Sequence, residues 1–114
     1  MVLENSKGVK RIGHIALKVK DLERAKSFYK SIGMKLIWDD DDWCYFETIP
    51  CKDGLALLGP NYKAAGPHFA FHFEDKKEVQ NIHSDLKDSG ISVGPIHDHR
   101  DGTASFYMRD TEGN

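Results

Sequence analysis

Two histidines occupy the same position in two copies of a short sequence pattern. Residues 14–21 read HIALKVKD and residues 68–75 read HFAFHFED, so both follow His-x-Ala-apolar-x-apolar-x-Asp at a separation of 54 residues. A single histidine at a strand start is more often a hydrogen-bonded surface residue, but two at equivalent positions favour ligation. Neutral imidazole is a ligand for zinc, iron, nickel or copper, and two imidazoles need at least one carboxylate to make a facial set. His14 and His68 are therefore candidate metal ligands.

The alternation of residue types predicts which face of a sheet carries these imidazoles. Side chains of a strand point alternately to its two faces. If the apolar set packs against helices, His14 and His68 lie on the uncovered face, and a concave uncovered face forms a cup for a ligand. The apolar set is Ile15, Leu17, Val19, Phe69, Phe71 and Phe73.

Helical periodicity follows each copy of the pattern. Apolar residues recur at helical spacing in residues 21–32 and 75–89. Asp21 and Asp75 are expected helix N-caps, and Gly33 and Gly90 suit the left-handed position after a helix end. Alternating or apolar runs predict strands in both halves, with turns between them that include Asp101-Gly102. The predicted strands are 12–19, 34–38, 43–49, 55–58, 68–74, 91–96 and 103–109.

The two halves differ at their ends. Each half reads strand–helix–strand–strand–strand, but the second half stops at the turn 110–114, before an eighth strand. Either the sequence covers only part of the natural chain, or a seven-stranded form leaves a ragged sheet edge. We expect a first module at residues 11–60 and a second, truncated module at 66–114, which together make one domain.

Composition narrows the class of protein. The chain has 114 residues, of which 39% are hydrophobic and 30% are charged, as expected for a single globular domain. With 16 basic and 18 acidic residues the net charge is −2, so nucleic acid is not an expected partner. No apolar run approaches a membrane span, and the N-terminus lacks a signal-peptide core, so we expect a cytoplasmic protein without a membrane partner.

Three segments resemble the glyoxalase / bleomycin-resistance / dioxygenase superfamily, whose fold is the vicinal oxygen chelate fold. They are HIALKVKDLERAKSFYKSIGM (14–34), PHFAFHFED (67–75) and SFYMRDTEGN (105–114). The resemblance implies an α+β fold in which two βαβββ modules form a curved mixed sheet with helices on its convex face. It also implies a homodimer, a small-molecule substrate and a divalent metal (Fe2+, Zn2+, Ni2+ or Mn2+) held by His14 and His68.

The rest of the family's ligand set is not evident in this sequence. Glyoxalases of the family carry a Glu ligand on the fourth strand, where the matching position here is expected to be Leu57. This departs from a lactoylglutathione lyase site. The remaining Glu of the family would follow about three residues after Asn114, past a turn that resembles residues 110–114.

A second resemblance concerns the extradiol ring-cleaving dioxygenases. His99, the pair Phe106-Tyr107, Asp110 and Gly113 are similar to their signature, in which a His and a Tyr contact a catechol-type substrate. The second active-site His of those enzymes is replaced here by Asp53-Gly54. The Phe-Tyr pair also occurs in thiol transferases that inactivate fosfomycin, so the reaction class, lyase or dioxygenase, stays open.

These patterns lead to a set of expected site residues. Tyr107 and His99 are expected to be catalytic, by orienting the substrate or moving protons. His72 and Arg109 are expected to bind substrate, although His72 also suits a metal ligand, a hydrogen-bonding partner of a ligand or a general base. Glu47 is a candidate carboxylate only if it faces the cup.

Two other functions compete with a metal-dependent enzyme. A metal-free module that binds an antibiotic-type small molecule, as bleomycin-resistance proteins do, would use aromatic rings to stack on a flat ligand. A structural dimer with a degenerate site is the third possibility. The aromatic residues available for stacking are Trp38, Trp43, Tyr45 and Tyr62.

Overall fold

The computed structural model describes residues 3–99 and 102–114, which form two compact units. Residues 11–72 form the sheet unit, and the described residues 3–10 and 73–114 form the second unit. Part of the predicted turn Asp101-Gly102 lies outside the described residues, since these omit Asp101. Neither helix of the described ranges has the length and apolar character that a bilayer-spanning helix needs.

The sheet unit contains one helix and a five-stranded mixed sheet. Its strands lie in the order β2-β3-β4-β1-β5, with β1 parallel to β4 and every other pair antiparallel. The α+β class and the mixed sheet predicted from the sequence are confirmed. The elements are β1 (Ile12–Lys18), α1 (Leu22–Ser31), β2 (Lys35–Asp39), β3 (Trp43–Glu47), β4 (Gly54–Leu58) and β5 (His68–Phe71).

Helix α1 covers the part of the sheet formed by β3 and β4. Between helix and sheet, Leu22 packs with Cys44, Phe46 and Leu57, and the last three are completely buried. Burial of one such Leu or Phe side chain contributes about 1.5–3 kcal/mol. This core fixes the strands whose opposite face carries the candidate site.

The opposite face of the sheet has small residues at its centre and aromatic rings beside them. Ala16 and Ala56 are buried there, and Trp43, Tyr45 and Tyr62 pack against the cluster that they form with Leu58. The two alanines contribute only methyl groups to the centre of this face.

The expectation that the apolar residues of β1 and β5 pack beneath helices is wrong for four of them. Ile15 and Leu17 are 49% and 39% exposed, and Phe69 and Phe71 are 54% and 41% exposed. The reason is that α1 lies over β3 and β4. The alternation itself holds, because Ala16 belongs to the opposite, buried face.

The second unit contains α2 (Lys76–Asp88), β6 (His97–Asp98) and β7 (Ala104–Ser105). The predicted strands 91–96 and 103–109 are wrong in extent, since the described part of this segment forms only the short β6–β7 pair and one bridge, from Val93 to Met108. Pro95 interrupts the first of these runs, because proline has no N–H to donate to a ladder.

A buried carboxylate connects α2 to residues 3–10 within the second unit. Asp85 is 3% exposed and accepts hydrogen bonds from the backbone N–H of Ser6, at 2.7 Å, and of Asn5, at 2.9 Å. Burial raises the pKa of Asp85, but these hydrogen bonds outweigh it and hold the pKa below its ordinary value. This contact could not be predicted from the sequence, because an Asp beside apolar helix positions has the same pattern when its side chain is solvated.

Both helices begin and end as predicted. The carboxylates of Asp21 and Asp75 each accept a hydrogen bond from the backbone N–H three residues later, at 3.0 and 2.9 Å. Gly33 and Gly90 follow the two helices with φ angles of 99° and 84°, a region that glycine adopts without steric cost. The caps confirm that each copy of the repeat starts a helix in the same way.

Candidate metal and substrate site

Three histidines of the sheet unit lie close together on the face opposite α1. β1 and β5 are neighbours, and their register pairs His14 with Ala70 and Ala16 with His68, so the two imidazoles leave the sheet on adjacent strands. The ring centroids of His14 and His68 are 5.4 Å apart, and those of His14 and His72 are 4.9 Å apart. The structure therefore brings together three of the histidines that the sequence singled out.

Hydrogen bonds assign the hydrogen of the His68 ring. Nδ1 of His68 lies 2.7 Å from the carbonyl oxygen of Gly66. A carbonyl oxygen only accepts, so Nδ1 of His68 carries the hydrogen and, in the neutral ring, Nε2 keeps its lone pair. That Nε2 lies 3.3 Å from Nε2 of His14. A nitrogen with ligand character thus faces the His14 ring.

The spacing of the two Nε2 atoms fits a shared metal ion. Two imidazole nitrogens at about 2.0–2.1 Å from one metal are about 2.9–3.4 Å apart for octahedral to tetrahedral angles. The observed 3.3 Å lies within this range. Within residues 3–99 and 102–114, no group of three His, Cys, Asp or Glu side chains is arranged to hold a metal ion. The described site therefore offers two ligands.

Burial favours the neutral, ligating form of these rings. Burial, followed by charge repulsion from the neighbouring His72 and His68, lowers the pKa of His14 to about 4. Burial also lowers the pKa of His72, aided by Arg11 and opposed by Glu47. At neutral pH a proton does not compete for the lone pair of His14, which a metal ligand requires.

A glycine in β1 makes room for the His72 ring. The register of β1 against β5 shifts between Ile12 and His14, so Gly13 is the extra residue of a β-bulge. A Cβ atom at Gly13 would overlap the ring of His72. The backbone N–H of His72 also donates to the carbonyl of Arg11, at 3.4 Å. These features place the imidazole of His72 beside Nδ1 of His14.

Tyr45 borders the site. From the sequence, this residue was expected only as an aromatic ring that could stack on a ligand. Its ring meets that of His14 edge to face at 5.8 Å, and a Cβ at Gly54 would overlap its hydroxyl group. Burial raises the pKa of Tyr45, and the charge of Glu47 raises it further. In the sequence, the glycine at the start of β4, Gly54, was the available signal, since a glycine in a strand often marks a close approach by another group.

The ambiguous Glu47 shares a face with the histidines. Glu47 pairs with Gly54, which pairs with His14, so the three residues form one row across β3, β4 and β1. Trp43 and Tyr45 alternate with the buried core residues of β3, which gives Glu47 the same side as Tyr45. A carboxylate therefore lies on this face.

The expected fourth-strand position is corrected by the structure. Leu57 is completely buried in the core beneath α1 and does not face the histidines. The residues of β4 that share the face of His14 are Gly54, Ala56 and Leu58. None of these residues can bind a metal through its side chain, so β4 supplies no ligand.

The remaining predicted site residues belong to the second unit. Nε2 of His99 lies 2.8 Å from the hydroxyl oxygen of Ser105, and the guanidinium of Arg109 donates to the carbonyl of Gly113 at 2.7 Å. Tyr107 is half-exposed. The roles of Tyr107, His99 and Arg109 stay predictions.

A comparison with protein families decides the assignment. The sequence model of the Glyoxalase/Bleomycin resistance protein/Dioxygenase superfamily matches residues 11–114. The chain belongs to this superfamily. The resemblance read from the histidine repeat is thereby confirmed, and the superfamily's α+β fold agrees with the mixed sheet described above.

Several solved structures are similar to this superfamily member over nearly the whole length of its chain. Lactoylglutathione lyase from Agrobacterium tumefaciens is 26% identical, with 95% of this chain and 91% of that chain covered and a TM-score of 0.44. A glyoxalase/bleomycin resistance protein/dioxygenase from Alicyclobacillus acidocaldarius is 22% identical, with coverages of 95% and 89% and a TM-score of 0.38. A possible glyoxalase from Bacillus cereus is 23% identical, with coverages of 90% and 92% and a TM-score of 0.39. The curated proteins give no match.

Proposed function

We propose that this superfamily member is a metal-dependent enzyme that acts on a small, oxygen-bearing substrate beside a divalent metal at His14 and His68. The observation that carries the proposal is the 3.3 Å separation of their Nε2 atoms, with the hydrogen of His68 fixed on Nδ1 by Gly66. Imidazole accepts several metals, so Fe2+, Zn2+, Ni2+ and Mn2+ are all candidates.

The protein groups around the metal position have separable tasks. A divalent metal there supplies a Lewis acid for the oxygens of the substrate. His14 and His68 hold the metal, and Tyr45 limits the space available to the substrate on the β3 side. By their resemblance to the dioxygenase signature, Tyr107 and His99 are proposed to orient the substrate or carry protons, and Arg109 is proposed to bind polar groups of the substrate.

The ligand set favours one reaction class. The glyoxalases of the superfamily use a carboxylate on the fourth strand, whereas Gly54, Ala56 and Leu58 are the β4 residues on this face. If a carboxylate from another element joined the two imidazoles, the metal would keep positions for a substrate and dioxygen. Ring-cleaving dioxygenase chemistry on a catechol-type compound is therefore the favoured activity, ahead of a lyase reaction.

Metal binding by single-site variants tests the proposal. Metal-free protein is titrated with Zn2+ and with Fe2+ under nitrogen, in competition with a chromophoric chelator. His14→Ala and His68→Ala are expected to lower the affinity at least 100-fold, since each removes one of two ligands. His97→Ala, which changes an exposed histidine of β6, is the matched control with unchanged affinity. An unchanged affinity in His14→Ala removes the metal site from consideration.

A metal-free binding protein is the second candidate function, favoured by the aromatic residues of the same face. The rings of Trp43 and Tyr62 lie 6.2 Å apart at 49° beside Ala16 and Ala56. A ligand that carries a planar aromatic group, such as bleomycin, is then expected to quench tryptophan fluorescence in the presence of EDTA, and Trp43→Leu is expected to abolish most of the quenching. No change in fluorescence at saturating ligand excludes this candidate.

The protein is further proposed to act as a homodimer, as the resemblance implies. The half-exposed apolar residues of β1 and β5, including Ile15 and Phe69, support a contact with another copy of the chain. Sedimentation equilibrium tests this, with a mass of twice the 12.9 kDa of the chain as the expected result.

A further inference from the structure

We propose that His72 is a positioning residue that accepts a hydrogen bond from Nδ1 of His14 and so commits Nε2 of His14 to the metal. The inference rests on the proposed metal site at His14 and His68. It assigns His72 a role one step away from the metal, rather than a contact with the substrate.

The two nitrogens of the His14 ring face two different imidazoles. Nε2 of His14 lies 3.3 Å from Nε2 of His68, and Nδ1 of His14 lies 2.7 Å from Nε2 of His72. A neutral imidazole has one N–H and one lone pair. If the lone pair of Nε2 binds a metal, the hydrogen of His14 is on Nδ1. The contact between this N–H and His72 is then favourable only if the facing nitrogen of His72 accepts a hydrogen bond. Nε2 of His72 is that acceptor when the hydrogen of His72 is on its own Nδ1.

The main chain around His72 is shaped for this contact. The His72 ring occupies the space of a side chain that Gly13 lacks, and the β-bulge at Gly13 lies directly beside His14. Gly13 is buried and its φ angle is not among the positive ones, so a turn or left-handed backbone does not explain the glycine. Its lack of a side chain serves the approach of His72 to His14.

The geometry also separates His72 from the metal itself. His68 approaches the Nε2 edge of the His14 ring, whereas His72 approaches the Nδ1 edge. Partners that hold the second nitrogen of a ligating histidine fix its orientation and raise its basicity, and their loss lowers metal affinity about 10- to 100-fold. His72 meets the description of such a partner.

Three variants test the inference through Zn2+ affinity. His72→Leu cannot accept a hydrogen bond, and His72→Gln keeps an acceptor. Gly13→Ala displaces the His72 ring without replacing any histidine. We expect His72→Leu and Gly13→Ala to weaken Zn2+ binding about 10- to 100-fold, the double variant to be no weaker than either, and His72→Gln to retain most of the affinity. Circular dichroism establishes that each variant is folded, and His97→Ala serves again as the control.

A second readout follows the hydrogens directly. In long-range 1H–15N spectra of the Zn2+-loaded protein, His14 is expected to show a protonated Nδ1, and His72 an unprotonated Nε2. An unchanged Zn2+ affinity in both His72→Leu and Gly13→Ala, or additive losses in the double variant, overturns the inference while the metal site stands. Absence of Zn2+ binding by the unmodified protein, or equal binding by His14→Ala, overturns the metal site and the inference together.

Discussion

The two copies of the repeat start alike and then diverge. Asp21 and Asp75 cap their helices with the same hydrogen bond, and Gly33 and Gly90 end them with the same backbone conformation. After α1, three strands of five residues follow, whereas after α2 the described chain forms only two strands of two residues. Helix signals act within a few residues, so they repeat wherever the sequence repeats. Strands form where a partner strand lies beside them.

The two units also differ in what holds them together. In the sheet unit, Phe46 and Leu57 are completely buried between α1 and the sheet. In the second unit, an apolar stripe of α2 that includes Ile82 and Leu86 is buried together with a charged residue, Asp85. A charged side chain is buried in each unit, but its partners differ: Lys26 of the sheet unit pairs with carboxylates, whereas Asp85 of the second unit accepts hydrogen bonds from backbone N–H groups.

Removal of the central aromatic residue of the sheet unit is expected to have the largest effect. Phe46→Ala leaves a cavity at a site with no exposure, so the free energy of unfolding is expected to fall by about 3–5 kcal/mol. Phe69→Ala, at a residue that is 54% exposed, is the matched variant and is expected to cost about 1 kcal/mol. Urea unfolding measures both. Equal losses would mean that Phe69 is covered in solution.

Loss of the buried carboxylate is expected to act on the second unit. Asp85→Ala removes the acceptor for Asn5 and Ser6, so hydrogen exchange of these two N–H groups is expected to accelerate. Asp88→Ala, which changes an exposed acid of the same helix, is the control. Slow exchange at Asn5 and Ser6 in Asp85→Ala contradicts the assigned contact.

The same contact carries a pH dependence with a definite sign. Because the pKa of Asp85 is lowered in the folded protein, its stabilising contribution is complete above about pH 4 and is lost as the pH falls through the lowered pKa. Acidification of the unmodified protein is therefore expected to accelerate exchange at Asn5 and Ser6. Asp85→Ala is expected to show no such change in that pH range.

The smallest effects are expected at the helix starts, where the two units are most alike. Asp21→Ala and Asp75→Ala each remove one side-chain hydrogen bond to the first helical turn and are expected to cost about 1 kcal/mol. Equal losses in thermal unfolding would support the equivalence of the two caps. Asp41→Ala, in an exposed turn, is the control with little change.

Local chemistry explains which parts of the fold the sequence predicted. The caps, the helix ends and the strands of the first half depend on residues close in sequence, and all of them were predicted nearly to their observed limits. The exposure of Phe71 and the short strands near Val93 were not predicted, because they depend on which distant element lies alongside. The alternation of residue types predicted that His14 and His68 share one face of the sheet, but it could not predict the distance between their rings.

Other features of the site needed three-dimensional register. The sequence did not show which face of the sheet carries Glu47. The structure pairs both Glu47 and His14 with Gly54, which places them on the same face. Leu57 was matched to the wrong face by one position, since an odd shift along a strand reverses the direction of every side chain. The role of Gly13 could not be predicted from the sequence, because Gly13 makes room for the ring of His72, which is 59 positions away.

The contacts that orient the rings of His68 and His14 differ in how easily a substitution can remove them. Its Nδ1 is tied to a main-chain oxygen of Gly66, and every amino acid at position 66 provides the same atom. Point mutation cannot delete that tether without moving the loop. The orientation of His14, held by an imidazole, depends on a single codon. Substitution of residue 72 would accordingly loosen the β1 ring, whereas substitution of residue 66 would keep the main-chain acceptor of the β5 ring.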